Sequence, residues 1–144
     1  IVVRLVGSEM CIRDRLTPGS EGSTFGGYPL ASVVGTYASK VLIDENLAEN
    51  ARIQGNYLMS HLNSIKDEFP DKIKEVRGKG LLTAFEMHNE KHLDGHIVSV
   101  ELLNHGVYAK ETHHTTVRLA PALTINKNQI DLLSEAIRSV VKGL

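Results

Sequence analysis

The stretch that organises this chain is a glycine-rich loop running directly into a helix, Gly22-Ser23-Thr24-Phe25-Gly26-Gly27-Tyr28-Pro29. Its glycines permit positive φ angles and let the backbone approach another surface closely. The hydroxyls of Ser23 and Thr24 are small donors that suit a phosphate oxygen, and Pro29 is typical of a first helical turn. The loop is therefore a candidate anion-binding site, although the same residues taken alone are also typical of a flexible connector.

Two further motifs follow in order along the chain. The first is Arg77-Gly78-Lys79-Gly80-Leu81-Leu82, and the second is KETHHTTVRLAPAL at residues 110–123. Together with the loop they resemble the C-terminal part of the class III pyridoxal-phosphate-dependent aminotransferases, over residues 16–144. The Lys-Glu-Thr-His run ahead of Arg118 is similar to that of the ornithine-specific members rather than the acetylornithine or aminobutyrate members.

The resemblance implies a fold class as well as a family. We expect an α/β chain that forms the C-terminal small domain of a fold-type I pyridoxal-phosphate-dependent transferase, preceded by the interface loop and helix of the large domain. On this interpretation residues 16–45 belong to the large domain and carry the cofactor-phosphate and dimer-interface loop. Residues 46–144 form the C-terminal α/β small domain.

The opening residues 1–15 show no helical or strand period. The run from Arg4 to Arg15 reads as a translated transposon-end adapter of the kind used in preparing sequencing libraries. We therefore interpret residues 1–15 as a sequencing-adapter artefact outside the fold. The single cysteine, Cys11, lies in this segment, so no disulfide framework is expected in the remainder.

Hydrophobic periodicity predicts four helices and three short strands. The helices are expected at residues 29–44, 47–69 and 93–104 and after Asn126, the last with a buried stripe of Ile130, Leu133, Ile137, Val140 and Val141. The strands are expected at residues 81–87, 107–110 and 116–119.

Residues at the helix ends support these bounds. Asn46 is predicted to cap the second helix, and Asn126 with Gln129 has the pattern of a capping box. Gly106 is the residue expected just beyond a helix end. The helix that follows the glycine-rich loop is predicted to bury one apolar face, and its small residues suit the close approach of a neighbour, such as another subunit.

The resemblance implies roles for three residues. Ser23 and Thr24 correspond to positions that bind the phosphate of pyridoxal 5'-phosphate, with the loop reaching the active site of the partner subunit in a homodimer. Arg118 corresponds to the arginine that binds the α-carboxylate of the amino-acid or 2-oxo-acid substrate. From the residues alone a structural ion pair is equally open for Arg118, because a guanidinium between Val117 and Leu119 in a strand is expected to be partly desolvated.

The family's Schiff-base lysine lies upstream of the glycine-rich loop, and so does the acid that pairs with the pyridine nitrogen. No lysine of this chain occupies that position, so we expect no catalytic residue here and a fragment that is inactive by itself. Family members usually carry asparagine where this chain has Tyr28. That departure lies at the helix start rather than on the hydroxyls.

Composition and charge limit the functional classes to which the protein can belong. The 144 residues carry 16 basic and 17 acidic side chains, for a net charge of −1, which does not suggest a nucleic-acid surface. No apolar run is long enough for a membrane span. His113 and His114 are adjacent on a polar turn without ligand spacing, so no metal site is expected, and Arg77 and Lys79 are interpreted as part of a solvated turn. An intracellular protein is expected, with the mitochondrial matrix and the cytoplasm both open.

Two alternatives to an ornithine-specific aminotransferase remain at this point. The chain could belong to a class III aminotransferase that acts on acetylornithine or aminobutyrate. It could also be a non-catalytic α/β dimerisation module that is complete as it stands.

Overall fold

The computed structural model describes residues 22, 24–89 and 94–144 of the chain. Its elements in order are α1 (Pro29–Asp44), α2 (Leu47–Glu68), β1 (Ile73–Lys79), β2 (Leu82–Met87), α3 (Gly95–Asn104), β3 (Lys110–Thr112), β4 (Thr116–Leu119) and α4 (Lys127–Gly143). The described residues fall into two compact units, one ending at Lys40 and the other running from Val41 to Leu144. Within this described part, no helix is both long and apolar enough to cross a bilayer.

The second unit is a two-layer α/β structure, which confirms the predicted fold class. Its four strands are antiparallel and lie in the order β1-β2-β4-β3. Helices α2 and α3 pack against one face of that sheet, and α4 packs against α2 and α3. The core between the layers is apolar, with completely buried side chains from every helix of the unit and from the two central strands: Leu58, Leu62, Ile65, Phe85, Val98, Leu102, Val117, Ile130 and Ile137. The opposite face of the sheet, here called the outer face, carries the polar side chains.

Strand β1 is an element that the sequence pattern did not predict. Its register with β2 shifts between Ile73 and Glu75, which is the signature of a β-bulge. The bulge leaves the inward-facing Ile73 and Val76 three residues apart, so the two-residue alternation expected of a strand is broken. The bulge in the backbone therefore explains why the sequence pattern did not predict β1.

Strand β3 differs from its predicted position, whereas α3 ends at Asn104 as predicted. The predicted strand at residues 107–110 is wrong, because β3 begins only at Lys110. Val107 instead donates its N–H to the carbonyl of Leu102 (2.8 Å) and closes α3, with Gly106 at a φ of 78° just beyond the helix, as predicted. The predicted start of α3 at residue 93 lies outside the described residues.

Two helix caps were predicted, and the structure confirms one of them. The Asn126 side chain accepts from the backbone N–H of Gln129 (3.1 Å), while the Gln129 side chain accepts from that of Asn126 (3.0 Å). Asn46 does precede α2, but the prediction that its side chain caps the helix is wrong. Its backbone is left-handed, with φ 50° and ψ 40°, and its carbonyl accepts from the N–H groups of Glu49 and Asn50 instead.

A close contact joins α2 to the turn between β1 and β2. A Cβ atom added to Gly55 of α2 would overlap the backbone of Gly80 in that turn. Gly80 itself has a φ of 57°, in the left-handed region that favours glycine. The pair of glycines therefore sets how closely the helix can lie on the hairpin, and so fixes the position of the sheet beneath it.

Helix α1 carries its apolar side chains on the surface. None of its residues is buried, and Leu30, Val33, Val34 and Tyr37 are all more than half exposed. The prediction of a buried face is therefore wrong for this chain by itself. Among the described residues of the first unit, those from Thr24 to Tyr28 precede α1 and are themselves exposed, so they offer it no core.

Candidate functional site

The glycine-rich loop forms a turn at the start of α1. Residues 24–27 make the turn, Tyr28 donates its N–H to the carbonyl of Phe25 (3.0 Å), and Gly27 has a φ of 74°. The Thr24 side chain is exposed, and its hydroxyl has no partner among the described residues. Ser23, the other predicted phosphate contact, lies outside the described residues.

The chemistry of this turn fits a phosphate group. The Thr24 hydroxyl has no partner among the described residues, and residues 25–27 of the turn are exposed. Neutral donors of this kind, next to a helix N-terminus, can satisfy the oxygens of a phosphate monoester without a fixed cation. Among the described residues of this turn, Thr24 has the side chain suited to a phosphate oxygen, and its predicted contact with a cofactor phosphate stays a prediction.

A second candidate site lies on the outer face of the sheet. Strand pairing places Arg77 opposite Ala84, Ala84 opposite Arg118, and Arg118 opposite Lys110. These four residues, here called the cation row, cross all four strands on one face. Three cationic residues therefore lie in one row, and the small residue Ala84 separates Arg77 from Arg118.

Arg118 is exposed on this row. The expectation that its guanidinium is partly desolvated is wrong, because strand alternation turns Val117 and Leu119 into the core and Arg118 outward. Its side chain makes no hydrogen bond or ion pair with any described residue, so the structure provides no support for the alternative of an internal ion pair. An exposed guanidinium with five available donors can take a carboxylate bidentately.

Arg77, in contrast, is neutralised. It forms ion pairs with Glu86 (2.7 Å) and Glu75 (3.2 Å) and donates to the Thr116 hydroxyl (3.3 Å), while Lys74 also contacts Glu86 (2.6 Å). Hydrogen bonds from Lys74 and Arg77 hold the pKa of Glu86 below its usual value. Arg77 and Lys79 both lie within β1, so the interpretation of these residues as part of a solvated turn is wrong.

Lys110 is the residue of this site that sequence reasoning missed. It begins β3, lies opposite Arg118 and is exposed, and its ammonium has no acidic partner within residues 24–89 and 94–144. The signal that could have found it is the hairpin register. A tight turn centred on His113 and His114, which have φ of 54° and 63°, places residue 110 across from residue 118.

Metal-ligand geometry does not occur in the described part of the chain. No group of three or more His, Cys, Asp or Glu side chains is arranged there to hold an ion. His113 and His114 form the predicted turn between β3 and β4. The candidate chemistry is therefore that of Thr24 and the cation row.

Comparison with known proteins gives a consistent picture. Residues 4–141 match the family described as Aminotransferase class-III. The mitochondrial ornithine aminotransferase of Arabidopsis thaliana is 40% identical over 144 residues, covering 99% of this chain and 30% of that protein. The ornithine delta-aminotransferase structure from Plasmodium falciparum superposes with a TM-score of 0.76 at 39% identity, covering 89% of this chain and 33% of that one.

An acetylornithine aminotransferase structure from Elizabethkingia anophelis is similar to the same degree. Its TM-score is 0.77 at 36% identity, with 92% of this chain and 33% of that one covered. The chain thus spans about a third of the length of these relatives. The family match begins at residue 4, inside the segment interpreted as an adapter translation, and that interpretation stays a prediction. On the extent of the match, this chain belongs to the class III aminotransferase family.

Proposed function

We propose that the whole protein is a pyridoxal-phosphate-dependent ornithine aminotransferase. It would move the δ-amino group of L-ornithine to a 2-oxo acid such as 2-oxoglutarate, giving glutamate 5-semialdehyde and the corresponding amino acid. The observation that carries this proposal is the exposed Arg118 guanidinium, which has no acidic partner among the described residues. It supports a substrate carboxylate as that partner.

The residues of this chain would bind and orient rather than perform the chemistry. Arg118 would hold the α-carboxylate, which fixes the direction in which the substrate presents its reacting atom. Thr24, with Ser23, would hold the cofactor phosphate. Bound pyridoxal phosphate supplies the carbonyl that takes up the amino group and the ring that withdraws electrons from the reacting carbon. The 144-residue chain is proposed to be inactive alone, because none of its lysines matches the family's catalytic position.

The apolar surface of α1 supports a homodimer in this proposal. Contiguous exposed apolar side chains are unusual on a monomeric protein and mark interaction surfaces. Leu30, Val33, Val34 and Tyr37 supply such a surface immediately after the phosphate-binding turn. The loop containing Thr24 would then reach the active site of the partner subunit.

The amino donor is tested on the full-length protein loaded with pyridoxal phosphate. We expect rapid formation of glutamate 5-semialdehyde from ornithine and 2-oxoglutarate, and turnover of N-acetylornithine and 4-aminobutyrate at least about tenfold lower in kcat/KM, since a missing polar contact in a specific site is costly. Each donor is assayed at equal 2-oxoglutarate concentration. Rapid turnover of acetylornithine without turnover of ornithine would replace the proposal by the acetylornithine alternative, which the Elizabethkingia anophelis likeness favours.

The dimerisation-module alternative predicts a different behaviour for the 144-residue chain. A complete module would be monodisperse on size-exclusion chromatography and unaffected by pyridoxal phosphate. We expect the chain instead to self-associate, because α1 exposes an apolar surface. Replacing Val33 and Val34 by lysine should reduce this self-association and give a narrower elution peak. A sharp, concentration-independent peak for the unaltered chain would instead favour the module.

A further inference from the structure

Tyr28 closes the glycine-rich turn and starts helix α1. Its N–H donates to the carbonyl of Phe25 (3.0 Å), and its own carbonyl accepts from the N–H and the hydroxyl of Ser32 (3.0 and 3.1 Å). Tyr28 therefore occupies the capping position of the helix. Tyrosine is not among the residues whose side chains cap a helix start, so the contribution of this side chain lies in its ring.

The ring of Tyr28 contacts the ring of Phe25. Their centroids lie 6.3 Å apart with the ring planes at 68°, which is the edge-to-face arrangement that aromatic pairs favour. The two residues stand on either side of Gly26 and Gly27. The aromatic pair thus closes the turn through side chains at the same place where the N–H of Tyr28 closes it through the backbone.

Packing does not hold the two glycines of the turn in place. Residues 24–28 are exposed, and a Cβ atom added to Gly27 would meet no atom within 4 Å. Glycine has the widest choice of backbone conformations, so a turn built on Gly26 and Gly27 loses much freedom when it is held in one shape. Within the described residues, the hydrogen bond and the aromatic pair between Phe25 and Tyr28 restrain that shape.

The shape of the turn decides where Thr24 presents its hydroxyl. Thr24 is bonded directly to Phe25, and no partner among the described residues fixes its hydroxyl. A turn that is already held in its binding shape loses less conformational freedom when a ligand binds. A restraint on Phe25 therefore strengthens a phosphate contact at Thr24 without itself touching the phosphate.

We infer that Tyr28 is a positioning residue for the cofactor phosphate and that it acts through its ring contact with Phe25. This inference rests on the proposed function, in which Thr24 holds the phosphate of pyridoxal 5'-phosphate. Tyr28 and Phe25 restrain the turn, and Thr24 donates to the phosphate oxygen. The aromatic pair thus sets the affinity for the phosphate group and not for the rest of the cofactor.

The test compares pyridoxal 5'-phosphate with pyridoxal, which lacks the phosphate, as ligands of the cofactor-depleted full-length protein. Tyr28→Ala should weaken binding of pyridoxal 5'-phosphate about fivefold, the size of one aromatic pair, and leave binding of pyridoxal within about twofold. Tyr28→Phe keeps the ring, so it should preserve both affinities. Tyr37→Ala is the matched control, because Tyr37 is another exposed tyrosine of the first unit and pairs with no aromatic ring among the described residues. It should leave the ratio of the two affinities unchanged.

A double-mutant cycle tests the contact itself. Phe25→Ala should weaken binding of pyridoxal 5'-phosphate about as much as Tyr28→Ala, and the double variant should weaken it no further, because either change breaks the same contact. Losses that multiply to about 25-fold would show that the rings act independently, and the inference would fail. Both rings are more than half exposed, so the variants are expected to fold, and their thermal midpoints check this.

The same titrations separate this inference from the proposed function. If the unaltered protein transaminates ornithine but Tyr28→Ala weakens binding of both ligands equally, or of neither, the inference fails while the proposed function stands. If ornithine is not a substrate yet the preference for the phosphorylated ligand depends on Tyr28, the proposed function fails and the positioning role stands. Equal affinity of the unaltered protein for the two ligands would overturn both the inference and the phosphate contact of Thr24.

Discussion

Replacing Arg118 by alanine is expected to lower kcat/KM of the full-length protein about 100-fold for its amino-acid and 2-oxo-acid substrates. In the proposed role of Arg118, the change removes a bidentate pair of charge-assisted hydrogen bonds to the substrate carboxylate. A loss of roughly 2.7 kcal/mol in transition-state stabilisation corresponds to the 100-fold factor. Steady-state transamination with each substrate varied in turn measures the effect. The loss should appear with both substrates, provided that both present a carboxylate to the same arginine.

The thermal midpoint is the control for Arg118→Ala. Because the side chain is exposed and makes no hydrogen bond or ion pair with described residues, the free energy of unfolding should change by less than about 0.5 kcal/mol. Arg118→Lys keeps the charge but not the fork, so its activity should fall by an intermediate factor of about ten. Full activity of Arg118→Ala at an unchanged midpoint would show that the arginine does not contact the substrate. A large fall in the midpoint would indicate a structural role instead.

The second large effect is expected at Gly55, and it concerns stability rather than activity. A methyl group there would collide with the backbone of Gly80, and main-chain atoms in a tight turn cannot rotate aside as a side chain can. Gly55→Ala should therefore destabilise the protein by about 3 kcal/mol or more, at the upper end of the range for overpacking. Thermal unfolding and soluble yield measure it.

Gly35 provides the matched helix substitution. A methyl group at Gly35 of α1 meets no atom within 4 Å, so Gly35→Ala gains helix propensity without a clash. For the 144-residue chain by itself we expect a free energy of unfolding that is unchanged or raised by up to about 1 kcal/mol. If Gly55→Ala unfolds at the same temperature as Gly35→Ala, the helix and the hairpin are not locked together by the Gly55–Gly80 contact.

The elements that sequence predicted well are those whose pattern is set by one surface. Helix α2 places Leu58, Leu62 and Ile65 on one stripe, and α4 does the same with Ile130 and Ile137, because each helix has a single apolar layer to cover. The α/β class followed from these helices and from β2 and β4. Helix α1 has the same kind of apolar stripe, yet that stripe is exposed. Hydrophobic periodicity indicates that a helix face needs a partner surface, but it does not indicate where that surface lies.

The strands at the sheet edges were harder to predict, for two different reasons. In β1 the bulge before Glu75 disrupts the alternation, and in β3 the sequence Lys-Glu-Thr is polar throughout because an edge strand has few core contacts. At the candidate site, Thr24 and Arg118 came from resemblance to a family. Lys110 could be recognised only from the register that sets it opposite Arg118, which depends on the turn geometry between them.

The same edges also limit how copies of the second unit can associate. One margin of the sheet is a strand of only three residues, and the other carries Lys74, Glu75, Arg77 and Lys79 along a bulged backbone. Short, charged or irregular margins resist the addition of a foreign strand by main-chain pairing. Fibril-like polymerisation through the edges of this sheet is therefore disfavoured.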